Sequence, residues 1–168
     1  WFTSTTNGTV PTTSTNSNAA NFQVVASGQT ATNGLKIVSA NGDKGSRLIW
    51  KDGLGAAWAT RTAGNNIIQL EYDFFTGAAS TSLTQNGVRI YGLEGTNVRT
   101  LAGFVYTPAT KTLTGIAYLN NAGTLNTFLI NLGAAPIVLA DNTWYSIGVA
   151  YNTTTGAVTW KGPGFDNV

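Results

Sequence analysis

The sequence contains neither cysteine nor histidine. Without cysteine there is no disulfide, no thiolate nucleophile and no zinc site built on sulfur. Without histidine there is no imidazole base and no Ser-His-Asp triad. Transition-metal sites also lose imidazole, their usual ligand. Any chemistry must therefore come from carboxylates, hydroxyls, amides, aromatic rings and a few cations, and we expect no cofactor.

Charge is also scarce, since only 10% of the residues are charged against about 25% in ordinary soluble domains. The nine basic and seven acidic residues are scattered and give a net charge of +2. No basic run marks a nucleic-acid surface, and no apolar run approaches the roughly 18 residues that a membrane-spanning helix needs. We therefore expect neither nucleic-acid binding nor membrane insertion.

What is abundant is Thr, Asn, Ser and Gly, which keep a surface polar without charge. In a cysteine-free chain this composition is typical of the outside of a bacterial cell, and we expect an extracellular or cell-surface location. The chain begins at Trp1 and contains no methionine. We therefore interpret it as a processed or excised module, with neighbouring domains of a larger chain among its partners.

Two regions differ in pattern. Residues 1–21 form a polar segment of low complexity, interpreted as a linker or as the edge of the domain. Residues 22–168 alternate apolar and polar positions and form the predicted domain. The predicted strands are 22–26, 35–39, 47–50, 57–61, 67–75, 88–92, 103–106, 113–119, 127–132, 136–139, 144–151 and 157–161.

Turn signals such as Asn86-Gly87, Asn120-Asn121 and Thr155-Gly156 separate these strands, and no helical pattern interrupts them. About twelve short strands predict an all-β fold, an antiparallel β-sandwich with its core between two sheets. Alternation in 67–75 directs Gln69, Glu71 and Asp73 outward, on the side opposite Leu70, Tyr72 and Phe74. Arg89 is expected to point outward as well.

The segment NTWYSIGVAYNTTTGAVTWK (142–161) alternates from Tyr145 to Tyr151 with the odd-numbered residues inward. Trp144 opens its strand, Tyr151-Asn152 begins the turn, and Thr155-Gly156 leads into the next strand. This pattern resembles the late hairpin of concanavalin A-like and laminin-G-like jelly rolls. The order of GSRLIW, RTAGNNIIQLEYDFFTG and KTLTGIAYLNNAGTL likewise resembles jelly-roll modules of secreted Bacteroidota-type bacterial surface proteins.

The resemblance implies a concanavalin A-like jelly roll. Because the core of a sandwich takes up aromatic residues, we also expect Trp144 and Tyr151 in the core. Because that superfamily includes lectins, adhesion modules, carbohydrate-binding modules and glucanases, function must be argued from the site. The resemblance also implies that a glucanase would carry Glu-x-Asp followed by a second Glu. Glu71 and Asp73 match the first two positions, but Phe75 or Thr76 stands where the proton donor should be.

Glu71 and Asp73 therefore have three interpretations. They are outward residues paired with a neighbour such as Arg89 or Arg61, or acceptors for sugar hydroxyls, or part of a glycosidase active site in which Glu71 is the nucleophile. Retaining hydrolysis needs two carboxyl groups about 5–5.5 Å apart. Because no second carboxylic acid occupies the motif, we expect no catalytic residue.

Sugar recognition uses flat aromatic faces rimmed by polar groups. The aromatic residues that could be exposed are Trp50, Trp58, Tyr91, Tyr106, Tyr118 and Trp160. Trp58 lies among small residues and close to Arg61, which favours a binding role. The predicted ligand-binding residues are Trp58, Arg61, Glu71, Asp73 and Arg89.

No metal site is predicted. The loop Asn41-Gly42-Asp43-Lys44-Gly45 has one Asp beside a Lys, a poor ligand density, and we interpret it as a turn. A structural calcium ion held mainly by backbone carbonyls stays an alternative that the sequence does not support.

These observations predict a non-catalytic extracellular module, carbohydrate-binding or adhesive, whose partner is a glycan or cell-surface polysaccharide. The alternatives are a glucanase-type hydrolase that uses Glu71, and a structural spacer or assembly domain without a small ligand.

Overall fold

The computed structural model describes residues 2–4, 21–30, 32–38 and 48–166, with backbone alone for residues 2–4. Most of the predicted polar segment 1–21 and the whole loop 41–45 lie outside the described residues. Within the described part, no helix is long and apolar enough to cross a membrane.

The chain divides into two compact units, Trp1–Asn65 and Asn66–Val168. In the first unit, strand β1 (Phe2–Ser4) pairs with β4 (Leu48–Trp50), and β2 (Phe22–Val25) pairs with β3 (Gly34–Ile37), both antiparallel. A short helix, α1 (Leu54–Ala59), follows β4. The predicted domain boundary after residue 21 differs from this division and stays a prediction.

The strand predicted at 57–61 is wrong, because α1 covers most of it. Gly53 precedes the helix with a φ of 78°, a left-handed conformation that favours glycine. Alanine is the best helix former, and three of the six helical residues are alanines. Thr60 Oγ1 donates to the Ala57 carbonyl at 3.1 Å and satisfies one of the last-turn acceptors.

In the second unit, the described residues 66–166 form nine strands in two antiparallel sheets. They are β5 (Ile67–Phe75), β6 (Arg89–Glu94), β7 (Asn97–Thr107), β8 (Thr112–Asn121), β9 (Thr124–Ile130), β10 (Ile137–Val138), β11 (Trp144–Asn152), β12 (Val158–Gly162) and β13 (Phe165–Asp166). One sheet has the order β6-β7-β8, with β9 and β10 both pairing with β8, and the other has the order β5-β11-β12-β13.

Apolar side chains from both sheets form the core of this unit. Phe104 of β7 and Leu113 of β8 are buried against Ile147 and Val149 of β11. Such burial stabilises a fold by about 25 cal/mol per Å² of apolar surface. The all-β prediction is therefore confirmed, with a sandwich-like arrangement of two antiparallel sheets.

Trp160 links the two sheets. It is 6% exposed, and its indole Nε1–H donates to the Gly103 carbonyl of β7 at 2.9 Å. The expectation that Trp160 and Tyr106 could be exposed is wrong, because alternation in β12 and β7 turns both side chains into the core. Gly115 of β8 leaves the space that the indole fills.

The hairpin turns confirm the turn signals near Asn120-Asn121 and at Thr155-Gly156. The signal at Asn86-Gly87 is wrong, because Asn86 is extended and pairs with Tyr106 of β7. Between β8 and β9, Ala122 and Gly123 have φ values of 49° and 87°, and Asn120 Oδ1 accepts from the Gly123 N–H at 2.9 Å. Two consecutive positive φ angles produce the turn type that suits tight hairpins. Between β11 and β12, the Asn152 side chain accepts from the backbone of Thr154, and Gly156 has a φ of 74°.

We expect Gly115→Ala to destabilise the protein. A Cβ at this position would lie 2.8 Å from Trp160 Cε2, so the indole must move. Overpacking of this kind typically lowers the free energy of unfolding by about 1–3 kcal/mol. Gly133→Ala is the matched control, because its Cβ would meet nothing closer than 3.4 Å. Urea denaturation followed by tryptophan fluorescence checks this, and equal stability of the two variants would contradict the packing described.

Stability should also fall at alkaline pH. Burial raises the pKa of the Tyr72 phenol above its ordinary value of 10.0, while a hydrogen bond with the Val88 backbone acts in the opposite direction. Because the folded pKa exceeds the unfolded one, the contribution is complete below pH 10 and declines as the pH rises from there toward the folded pKa.

Tyr72→Phe removes this titration and keeps the ring. Above pH 10 the wild type should lose up to about 1.4 kcal/mol per pH unit more than the variant. The pKa values of Tyr106, raised mainly by burial, and Lys111, raised by its hydrogen bond to Asp141, affect both proteins alike. Melting temperatures between pH 9 and pH 11.5 give the comparison, and parallel curves would refute the assignment to Tyr72.

Candidate ligand-binding face

Strand β5 presents a polar and aromatic face to solvent. Burial alternates along all nine residues, and Gln69, Glu71, Asp73 and Phe75 are exposed. Leu70, Tyr72 and Phe74 pack against the core on the other side. The facing predicted for 67–75 is therefore confirmed.

The neighbouring strands complete this face. Because β5 pairs with β11 and β11 pairs with β12 in regular register, outward positions stand side by side across the sheet. We call this set the outer strip. It consists of Gln69, Glu71, Asp73 and Phe75 on β5, Trp144, Ser146, Gly148 and Ala150 on β11, and Thr159 and Lys161 on β12.

An aromatic pair forms one end of the outer strip. Trp144 is the cross-strand partner of Phe75, and their ring centroids lie 5.2 Å apart at an interplanar angle of 40°. Phe75 is 43% exposed and Trp144 is half-buried. The prediction that Trp144 belongs to the core is wrong, because alternation places it opposite Tyr145 and on the side of Ser146. Tyr151 packs against the core as predicted.

Thr76 fixes the backbone beside this aromatic pair. Its Oγ1 donates to the Ala140 carbonyl at 2.8 Å and accepts from the Thr143 N–H at 3.0 Å. Its own N–H donates to the Thr143 carbonyl at 3.1 Å. These bonds hold the turn that leads into Trp144 against the end of β5. The backbone therefore fixes the relative positions of Phe75 and Trp144.

The two carboxylates of the outer strip accept hydrogen bonds from neutral side chains. Ser146 Oγ donates to Asp73 Oδ1 at 2.5 Å, and Gln69 Nε2 donates to Glu71 Oε1 at 2.5 Å. A Cβ added to Gly148 would lie 3.3 Å from Glu71 Cγ. The Glu71 side chain therefore leans over Gly148, and a side chain at position 148 would displace it by a few tenths of an ångström.

The predicted residues Trp58 and Arg61 form a pair within the first unit. The Arg61 guanidinium stands 4.0 Å above the Trp58 ring, and its nitrogens donate to the carbonyls of Asn65 at 2.9 Å and Trp58 at 3.0 Å. A cation in this position gains about 0.5–1 kcal/mol at an exposed site. One face of the indole is therefore covered by Arg61.

Arg89 belongs to the other sheet of the second unit. It lies on β6, next to Ile90, which packs against the core, and its Nη1 donates to the Tyr91 hydroxyl at 3.5 Å. Arg89 does not pair with Glu71, because β6 and β5 belong to different sheets.

A second polar cluster occupies the β6–β7 hairpin. Glu94 Oε2 accepts from Arg99 Nε at 2.9 Å and from the Tyr118 hydroxyl at 3.2 Å, and the Arg99 guanidinium lies 4.9 Å from the Tyr118 ring. These groups satisfy one another. The cluster therefore connects the hairpin to β8. Its polar groups already have hydrogen-bond partners within the protein.

Sequence reasoning missed Phe75, Trp144, Ser146 and Lys161. Alternation could have found two of them. Phe75 lies an even number of positions from Glu71 and Asp73, and Trp144 lies two positions from Ser146, so each shares a face with those polar residues. What the sequence could not show is that these two runs are direct cross-strand neighbours.

The geometry does not fit retaining glycoside cleavage, which needs two carboxyl groups about 5–5.5 Å apart. Glu71 and Asp73 are two positions apart on one strand, about 7 Å along it, and Phe75 and Thr76 carry no carboxyl group. Two other described carboxylates are engaged by cations, since Glu94 pairs with Arg99 and Asp141 with Lys111. No group of three acidic, histidine or cysteine side chains among the described residues could hold a metal ion.

The chain was compared with known proteins by sequence and by structure. No protein-family model, no curated protein and no solved structure matches it. A functional assignment must therefore come from the geometry of the outer strip.

Proposed function

We propose that this protein is a non-catalytic, carbohydrate-binding module of a larger secreted or surface-exposed bacterial protein, built on a concanavalin A-like jelly roll. The single observation that carries the proposal is the exposed pair of Phe75 and Trp144 beside two hydrogen-bonded carboxylates. We place the glycan on the outer strip, which retains Glu71 and Asp73 from the sequence prediction.

The outer strip offers both kinds of contact that a sugar uses. A pyranose ring has an apolar face that packs on aromatic rings, while its hydroxyls donate to polar groups at the rim. Phe75 and Trp144 provide the aromatic surface, and Glu71 and Asp73 provide charged acceptors, whose hydrogen bonds are about twice as strong as neutral ones.

The dimensions suit an extended chain of several sugars. From Gln69 to Phe75 the strand rises through six residues, or about 20 Å at 3.3 Å each. Small residues on β11, namely Ser146, Gly148 and Ala150, keep the middle of the face low. A shallow, elongated surface of this kind fits a polysaccharide better than a compact cofactor, for which a concave pocket is usual.

Hydrogen bonds within the protein already orient the side chains of the site. Thr76 holds the turn next to Trp144, and Ser146 and Gln69 orient the two carboxylates. Side chains that are already ordered lose less conformational entropy on binding, which improves affinity without new contacts. Regular strands fix the spacing between the aromatic pair and the acceptors.

Trp144→Ala and Phe75→Ala should each weaken glycan binding. Truncating a central aromatic residue of a binding surface commonly costs about 2 kcal/mol, or roughly a thirty-fold change in Kd. Affinity gel electrophoresis with mixed-linkage β-glucan, xylan, galactomannan and dextran measures retention. Trp58→Ala is the matched control, because Arg61 already covers one face of that ring.

Retention that is lost in Trp58→Ala but kept in Trp144→Ala would move the site to the first unit. Retention that neither substitution affects would also contradict the outer strip, and binding of no glycan would favour the spacer interpretation. Circular dichroism of each variant establishes that the sheets are intact.

Incubation with the same polysaccharides should release no reducing ends. Among the described residues no carboxylic acid lies across the strip from Glu71 to protonate a leaving oxygen, and Phe75 and Thr76 occupy the motif position. Glu71→Gln should therefore leave this zero rate unchanged. Turnover by the wild type that disappears in Glu71→Gln would establish the glucanase alternative instead.

A further inference from the structure

The charges of the four-stranded sheet are unevenly distributed. Trp160 and Phe165 point into the core, so their neighbours Lys161 and Asp166, which are paired across β12 and β13, share the outward side with Glu71 and Asp73. Strand β11 contributes no charged residue. The four strands thus direct three carboxylates and one ammonium group outward.

Glu71 occupies the middle of this surface. In register it is opposite Gly148, whose other cross-strand neighbour is Lys161. Because Gly148 has no side chain, Glu71 leans over β11, and its hydrogen-bond partner is the neutral amide of Gln69. Its negative charge therefore stands over the centre of the outer strip.

We propose that the outer strip selects uncharged glycan chains over chains that carry carboxylate or sulfate groups, and that Glu71 is the residue responsible for this selection. The inference rests on the proposed glycan-binding function and adds the chemical class of the ligand. Sugar hydroxyls donate to the Glu71 carboxylate, whereas an acidic substituent in the same place meets a like charge.

Coulomb's law sets the size of the effect. Two unit charges about 7 Å apart repel with an energy that corresponds to roughly a three-fold change in affinity in bulk water and roughly a fifty-fold change near a protein surface. The discrimination should shrink in 1 M salt, where the screening length falls to about 3 Å. If shape, and not charge, distinguished neutral from acidic glycans, the difference in affinity would persist in 1 M salt.

The experiment compares each neutral polysaccharide of the panel with its own carboxymethylated derivative of similar chain length. In low salt, the wild type should bind the neutral member about three- to fifty-fold more tightly. Glu71→Gln should reduce this ratio, and Lys161→Gln should increase it. Glu94→Gln is the matched control, because Glu94 lies on the other sheet and pairs with Arg99, and it should leave the ratio unchanged.

The possible results separate this inference from the function on which it rests. Equal binding of both members, a preference for the acidic member, or a ratio that Glu71→Gln does not change would overturn the selectivity while glycan binding stands. Binding of neither member by the wild type would overturn both. A ratio that survives in 1 M salt would show steric exclusion and would also contradict the role of Glu71.

Discussion

The antiparallel pairing of β5 with β11 is the constraint on which the rest of the second unit depends. All nine residues of β5 are in register with β11, from Ile67 opposite Asn152 to Phe75 opposite Trp144. Since side chains alternate, this one register places the apolar set of both strands in the core and the outer strip in solvent. A slip by one residue would exchange the two faces. Burial of the core residues therefore fixes the binding surface as well.

Residues without side chains connect packing to the proposed function. Gly115 admits the Trp160 indole, whose hydrogen bond to Gly103 joins the two sheets. On the opposite side of the four-stranded sheet, Gly148 admits the Glu71 side chain. The first glycine allows the sheets to approach, and the second allows a carboxylate to stand over the middle strand. In both cases what matters is the space that a Cβ would fill.

The sequence predicted much of this architecture but little of the site. Alternation alone placed β5 at its observed bounds and assigned its two faces. It failed for α1, where an alanine-rich segment after a left-handed Gly53 forms a helix. The expected environments of Trp144 and Trp160 were also wrong, because they were assigned from residue type, whereas alternation along β11 and β12 turns Trp144 outward and Trp160 inward. An aromatic residue suits a core and a surface equally well, and only its parity relative to paired strands decides. Cross-strand partners are far apart in sequence, so the meeting of Phe75 and Trp144 could not be predicted from local pattern.

The most direct test of the central claim is a titration followed by NMR, in which a neutral hexasaccharide such as cellohexaose, xylohexaose or mannohexaose is added to the ¹⁵N-labelled protein. The five tryptophans give separate indole N–H signals. The account predicts that the Trp144 indole signal and the backbone amides of Phe75 and Asp73 shift with at least one of the three sugars, while the buried Trp160 indole does not. A shift confined to the Trp58 indole, or no shift with any of the three, would contradict it.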